Sequence, residues 1–425
     1  MSAAVEVWLD ADFDPQMRRV GTLHHDRGQL RFEYTPDWLR SPTSFAVDPE
    51  LMLARGAHFP RPDQGNFRVF DDSAPDRWGQ TLMKRREALD AKDAQRPARV
   101  LHAWDFLLGV QDQTRQGALR FRDLAVSDPT AGFLASHPLP APPVTSLREL
   151  EAVAYELTST RIDNADALRR WLSVLVAPGA SLGGARPKAN ITDTDGSLWI
   201  AKFPARDDDR DIGAWEHLTH TLAEQAGIDV PEARVLRLGS RGHATFLVKR
   251  FDRVGGRRRF YASAMALLQK DASEGSSYVE LAEFLQQNGA AGHIKADLAQ
   301  LFRRVVFNVA VGNRDDHLRN HGFILTAAGW RLAPAFDVNP NVDKAEHVLN
   351  LDLDDPRPSV RSVLSTAPWY GLTEAQGRAV VAEVLAVTRP WREAAVRAGI
   401  ASAEIDGMAA AFDMSDRPDP LGLML

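Results

Sequence analysis

The sequence predicts an α+β fold in two lobes, with an extra N-terminal α/β unit in front and a mainly helical C-terminal half behind. Three observations carry this. Residues 5–9 and 29–34 alternate apolar and polar side chains, as half-buried strands do, with turn residues between them. Residues 180–260 are again rich in strand signals, whereas after Phe260 the apolar residues recur at helical spacing. Between these regions the stretch 126–146, VSDPTAGFLASHPLPAPPVTS, is rich in proline and alanine and reads as a linker or long surface segment.

Taken in order, 5–9 and 29–34 are strands and 76–88 a helix. Asp76 is its N-cap, and Leu82 and Met83 sit at helical spacing from Trp78. The apolar run 101–110 packs against that helix. Residues 146–177 read as one or two amphipathic helices ended by Pro178 and Gly179. Strands 189–192 and 198–203 flank the turn 193–197, whose Asp195-Gly196 pair is a hairpin signal. A helix over 212–226 ends at Gly227 as its C′ residue, and strands follow over 234–238 and 244–250. Helices then cover 278–287, 294–311, 374–388 and 390–398, with a strand over 322–325. The expected division is 1–125 as the N-terminal subdomain, 126–146 as linker, 147–255 as the N-lobe and 256–425 as the helical C-lobe.

Composition excludes several classes of function. The chain has 425 residues, 44% hydrophobic and 25% charged, enough for a large core and unlike a disordered chain. A net charge of −6 argues against a general nucleic-acid binder. The absence of cysteine removes disulfides, thiolate catalysis and zinc–thiolate sites. No stretch approaches the roughly 20 apolar residues that span a bilayer, and the opening residues lack a long apolar run. The expectation is a cytoplasmic protein with no signal peptide and no membrane partner.

Four segments carry chemistry, and their order says more than any one of them. Residues 181–188, SLGGARPK, hold Gly183 and Gly184, which let backbone N–H groups approach phosphate oxygens. Alone, such a pair is a turn. In 198–204, LWIAKFP, Lys202 lies in an apolar strand, where a lysine is costly without an anionic partner. In kinases such a lysine contacts the α/β phosphates and pairs with a helix glutamate, here Glu216. In 309–320, VAVGNRDDHLRN, Asp315 precedes Asn320 by the five-residue spacing of a kinase catalytic loop, where the Asp takes or orients the hydroxyl proton and the Asn binds metal. Finally Asp337 follows the apolar strand of LAPAFDV, where a second metal ligand belongs. Such carboxylate and amide oxygens suit Mg²⁺. The strand pair, helix, strands and helices thus read as a protein-kinase-like fold.

The sequence resembles the HipA family, the kinase toxins of bacterial toxin–antitoxin pairs, over nearly the whole chain. The stretches that carry the resemblance are PDRWG (75–79), DFLLGV (105–110), RQGALRF (115–121), SLGGARPK, WIAKFP, VKRFDR and DDHLRN. The resemblance implies an ATP- and Mg²⁺-dependent serine/threonine protein kinase. Ser181 would be the autophosphorylated serine of the phosphate-binding loop and Lys202 the nucleotide-binding lysine. Lys249 and Phe251 would lie in the adenine-binding hinge, Asp315 would be catalytic, and Asn320 and Asp337 would hold the metal. The chain departs from the family at Lys249, where the best-known members carry glutamate. Implied partners are a protein substrate of unknown identity and a small helix-turn-helix antitoxin, through which alone DNA is met. Family substrates are translation factors.

Other readings stay open on sequence. A small-molecule kinase of the aminoglycoside-phosphotransferase type shares the Asp-to-Asn spacing. A pseudokinase acting as a binding or corepressor module is not suggested, since Lys202, Asp315, Asn320 and Asp337 are all present. A metal hydrolase using Asp315, Asp316 and His317 would need three adjacent residues to converge on one ion, so His317 reads as a structural residue of the loop. The basic run Arg250, Arg253, Arg257, Arg258 and Arg259 around Gly255-Gly256 could meet nucleic acid or a phosphorylated partner, and reads first as a solvated hairpin tip.

Overall fold

The structure, a computed structural model, describes residues 3–125, 132–134, 141–158, 172, 186–239 and 242–412. It divides into two compact units, one of residues 1–207 with 252–262 and one of 208–251 with 263–425.

The first unit opens on an antiparallel sheet of β1 (Ala3–Leu9), β2 (Arg18–Asp26), β3 (Gln29–Tyr34) and β4 (Leu119–Asp123), in the order β3-β2-β1-β4. Val5, Val7 and Leu9 point into the core. Glu6, on the other face, is ion-paired with Arg19 of β2 at 2.9 Å and with Arg122 of β4 at 2.7 Å. Strands β1 and β3 lie where the alternation predicts them. Strand β2 escaped the reading because Val7 pairs with Gly21 and Trp8 with Arg19. Val20 is thus an extra residue in the ladder, a bulge that breaks the period of two.

Among the described residues this unit also holds helices α1 (Pro36–Arg40), α2 (Arg68–Asp72), α3 (Arg77–Asp93), α4 (Ala103–Leu108) and α5 (Leu147–Leu157). Asp76 caps α3 as expected, accepting from the Gly79 N–H at 2.9 Å. Two further strands, β5 (Lys188–Thr192) and β6 (Leu198–Lys202), form an antiparallel hairpin that pairs Lys188 with Lys202. The basic run is indeed a hairpin, Arg253–Val254 against Arg257–Arg258, but its arginines are not solvated. Arg257 donates to the carbonyls of Ala11 and Asp14, and Arg258, 7% exposed, to that of Asp112. Their charges are spent on holding backbone together.

In the second unit α6 (Ile212–Gln225) begins at Asp211. That carboxylate accepts from Ala214 N, Ala244 N and Arg237 at 2.8–3.1 Å, so one residue caps the helix and fastens the next strands. The helix ends at Gly227, with φ +75°, the left-handed C′ residue expected. The hairpin β7 (Ala233–Leu236) with β8 (Thr245–Lys249) follows. After the short α7 (Ala264–Leu267) come α8 (Tyr278–Asn288), α9 (Ile294–Ala310) and the hairpin β9 (Gly322–Thr326) with β10 (Gly329–Leu332). The described residues end on α10 (Val360–Ser365), α11 (Glu374–Thr388), α12 (Trp391–Arg397) and α13 (Ser402–Phe412). Helix α9 is the axis of this unit: Leu298, Leu301, Phe302, Val305, Val306 and Val309 are all buried along it. Trp215 of α6, Trp391 of α12 and Phe412 of α13 pack together, the last two stacked at 4.2 Å. No helix among the described residues is long and apolar enough to cross a membrane.

Candidate active site

The candidate chemistry of the second unit begins where α9 ends. Gly312 takes φ +63°, and a Cβ there would lie 2.3 Å from the carbonyl oxygen of Ala411. Only glycine both turns left-handed and lies flat against α13. The turn delivers Asp315 and Asp316 to opposite environments. Asp315 is exposed, its Oδ1 2.6 Å from the Lys344 ammonium. Asp316 is 3% exposed, and its Oδ2 accepts from the Tyr278 hydroxyl at 2.5 Å and the Asn308 amide at 2.8 Å, with His321 Nε2 at 2.7 Å. Asn313 extends the network, donating to Asn308 Oδ1 at 3.1 Å.

Burial by itself would raise the Asp316 carboxyl, but His321, the Tyr278 hydroxyl and the charge of His317 together hold it below its ordinary value. The same burial, with Asp316 beside it, raises the Tyr278 hydroxyl well above its usual value. Nearby His347 is pushed down to about 4, first by burial. The imidazole that braces the loop is therefore His321. His317, expected in that part, does not hydrogen-bond Asp316.

Asn320 closes the loop. It is 7% exposed, and its Oδ1 takes no hydrogen bond among the described residues. A buried amide oxygen left unsatisfied costs about 1–3 kcal/mol, so it calls for a water or another donor or cation in the cleft. It lines one cleft with Asn308, Asp316, His321, Phe336 and Val338, the last two flanking Asp337. Asp337 itself adopts φ +58°, a left-handed conformation that a non-glycine residue holds only when its surroundings impose it. They do: Arg304 donates to Ala333 O at 2.8 Å, Ala335 N–H to Asp229 O at 2.8 Å, and Thr219 Oγ1 of α6 to Val338 O at 2.6 Å. The chain on both sides of Asp337 is pinned. An unsatisfied amide oxygen at Asn320 and a carboxylate at Asp337 are the kind of donors that suit a hard cation such as Mg²⁺.

The remaining predicted residues are placed as follows. Glu216 is buried on α6. Lys249 ends β8 half-exposed, its ammonium 3.1 Å from Glu232, so the lysine that departs from the resemblance has a carboxylate partner. Phe251 packs its ring 5.5 Å from that of Phe336. In the first unit Lys202 ends β6, half-buried. Its ladder partner Lys188 is 3% exposed, with its ammonium 2.7 Å from the buried carboxylate of Asp76, and the Trp78 indole N–H donates to the Lys188 carbonyl at 3.1 Å. Two stretches singled out separately, PDRWG and the end of SLGGARPK, are thus one structural joint. Burial pushes the Asp76 carboxyl up and the Lys188 charge pulls it down, with burial the larger effect. Ser181, Gly183 and Gly184 lie outside the described residues.

A hairpin, a helix, a second hairpin, then a buried helix running into an Asp-x₄-Asn loop and a constrained aspartate are the parts of a kinase-like α+β protein. Residues 6–103 match the family model of the HipA N-terminal domain and residues 180–391 that of the HipA-like C-terminal domain. The chain belongs to the HipA family. HipA of Shewanella oneidensis, solved with HipB and its operator DNA, covers 96% of this chain and 95% of its own with a TM-score of 0.62, at 16% identity. That likeness is one of fold. Among curated relatives, "Putative kinase" of Haemophilus influenzae is 28% identical over 181 residues, 37% of this chain and 52% of that protein. "Putative kinase Y4dM" of Sinorhizobium fredii is 26% identical over 157 residues, 34% of this chain and 37% of that one. The matched region spans about half the length of the first relative and less of the second.

Proposed function

We propose that this chain is an ATP- and Mg²⁺-dependent serine/threonine protein kinase, the toxin of a toxin–antitoxin pair. The observation that carries the reading is the buried, unpartnered Asn320 Oδ1, five residues beyond an exposed Asp315 and in one cleft with the residues flanking Asp337. Asp315 accepts the proton of the attacking hydroxyl, and its exposure leaves it open to a protein side chain. The resemblance assigns Lys202 to the α/β phosphates, Ser181, Gly183 and Gly184 to the phosphate-binding loop, Glu216 to the nucleotide site, and Lys249 and Phe251 to the adenine-binding hinge. Asn320 and Asp337 hold Mg²⁺, which when bound neutralises charge on the phosphates.

The test is incubation with γ-labelled ATP and Mg²⁺, with and without cell lysate. Label is expected on the peptide containing Ser181 and on a lysate protein; label on neither, or only on a small molecule, overturns the reading. The metal assignment has its own check in thermal shift. ATP is expected to stabilise the protein mainly when Mg²⁺ is present, and Asp337→Ala to abolish most of the Mg²⁺-dependent increment. An undiminished increment would put the metal elsewhere.

The Shewanella relative, solved with HipB and operator DNA, supports a small DNA-binding partner here too. With a net charge of −6, the chain alone is expected to leave operator DNA unshifted in a gel assay and to bind it only with that partner. Tight sequence-specific binding by the chain alone would contradict this.

A further inference from the structure

We infer that Lys344 is a further catalytic residue, an ammonium stored on Asp315 that transfers to the phosphoryl group as the group passes to the substrate hydroxyl. The inference rests on the kinase reading above. Its observation is the 2.6 Å contact between Lys344 Nζ and Asp315 Oδ1, together with the scaffold that produces it.

That scaffold is built and not incidental. Asn341 Oδ1 accepts from the N–H groups of Asp343 and Lys344, both at 2.9 Å, folding the segment into a tight turn. The turn is laced to the Asp315 loop at three points. Asn341 N–H donates to Gly312 O at 2.9 Å, Val348 N–H to Arg314 O at 3.1 Å, and Arg314 Nη1 to the Lys344 carbonyl at 2.9 Å. Arg314 is 8% exposed and its other arm is anchored on Ala410 O at 2.9 Å. The backbone carrying Lys344 is therefore fixed relative to Asp315, while its side chain stays free to swing. The two side chains are 42% and 56% exposed, so their pairing is worth little to stability and is readily exchanged for a stronger anion.

The chemistry has a use for it. In the transfer the hydroxyl oxygen forms a bond to the γ-phosphorus. The bond from that phosphorus to the bridging oxygen breaks, its electron pair leaving on ADP, and the hydroxyl proton passes to the Asp315 carboxylate. Negative charge spreads over the three equatorial phosphoryl oxygens. The loop 315–320 contains no lysine to meet it. As Asp315 takes the proton it loses its charge and its hold on Lys344, and the ammonium, a compact donor on a flexible stem, is released toward the phosphoryl oxygens. Lys344 keeps its own protons throughout.

The experiment compares the unaltered chain with Lys344→Ala and Lys344→Arg. It measures single-turnover transfer of label and, separately, equilibrium affinity for Mg²⁺–ADP and for a non-hydrolysable Mg²⁺–triphosphate analogue. Lys344→Ala is expected to slow transfer roughly a hundredfold, the scale for removing one donor to developing charge. Because the ammonium leaves Asp315 only as the proton is taken, affinity for both nucleotides and the melting curve should be unchanged. Lys344→Arg should recover part of the rate. Should Lys344→Ala melt lower, Lys344→Gln, which retains most of the stem, is read in its place. Transfer as fast as the unaltered chain, or faster, would mean that Lys344 only caps Asp315, and a slowing matched by an equal loss of triphosphate affinity would make it a ground-state binding group; in either case the inference falls alone. If the unaltered chain transfers no phosphate, the kinase reading falls and this inference with it.

Discussion

Asp315→Asn is expected to leave the melting curve and nucleotide binding as they are and to reduce the proposed phosphoryl transfer about 10²–10⁴-fold, the range for loss of a positioned base. The structure explains why fold and activity should separate so cleanly here. Asp315 is more than half exposed, and its Lys344 partner is itself half in solvent. Nothing in the core depends on the carboxylate, and asparagine keeps its shape. Single-turnover labelling alongside a thermal melt decides the matter. Near-normal transfer by a normally folded variant would remove Asp315 from the catalytic role.

Its neighbour should behave the opposite way. Asp316→Ala leaves the Tyr278 hydroxyl, the Asn308 amide and His321 facing a buried void. Each stranded donor costs about 1–3 kcal/mol, so the loss should be roughly 3 kcal/mol or more, seen as a lowered unfolding transition. Tyr278→Phe, which removes one of these contacts, should cost only about 1 kcal/mol. The pH dependence has a definite sign. The Asp316 carboxyl is held below its ordinary value, so its stabilisation is complete above the unfolded value of about 3.9 and disappears as pH falls through the folded one. Acid unfolding of the unaltered chain should therefore steepen below about pH 4, where that of Asp316→Asn should not. An Asp316→Ala protein that melts normally would show that the network is not structural.

The comparison of these adjacent aspartates also shows how far the residues alone could be read. The spacing from Asp315 to Asn320 is local, as are the cap at Asp76 and the C′ glycine at Gly227, and local chemistry is legible in a string of residues. The strands and helices that carry regular periodicity were found for the same reason. Strand β2 was not, because the bulge at Val20 disrupts its alternation, and the arginine hairpin was misjudged because the carbonyls that hold it belong to residues far earlier in the chain. One faint signal of the Asp316 network was present: Asn308, a polar residue in the otherwise apolar run 305–310 at the end of α9, stands where only a satisfied amide would be buried.

What the sequence by itself determined, then, was the class of fold, the family resemblance, and the order of the lysine, the two aspartates and the asparagine. Each of these depends on neighbours within a few residues or on order along the chain. Tertiary structure alone decided the separate surroundings of Asp315 and Asp316, the orphaned oxygen of Asn320, the pinned backbone of Asp337, and the approach of Lys344 to Asp315. Those depend on burial and on contacts between residues tens of positions apart. Apart from the hint at Asn308, they leave no mark on the chain until α8, α9 and the segment 341–348 pack around the loop, because desolvation and hydrogen-bond geometry are properties of neighbours in space.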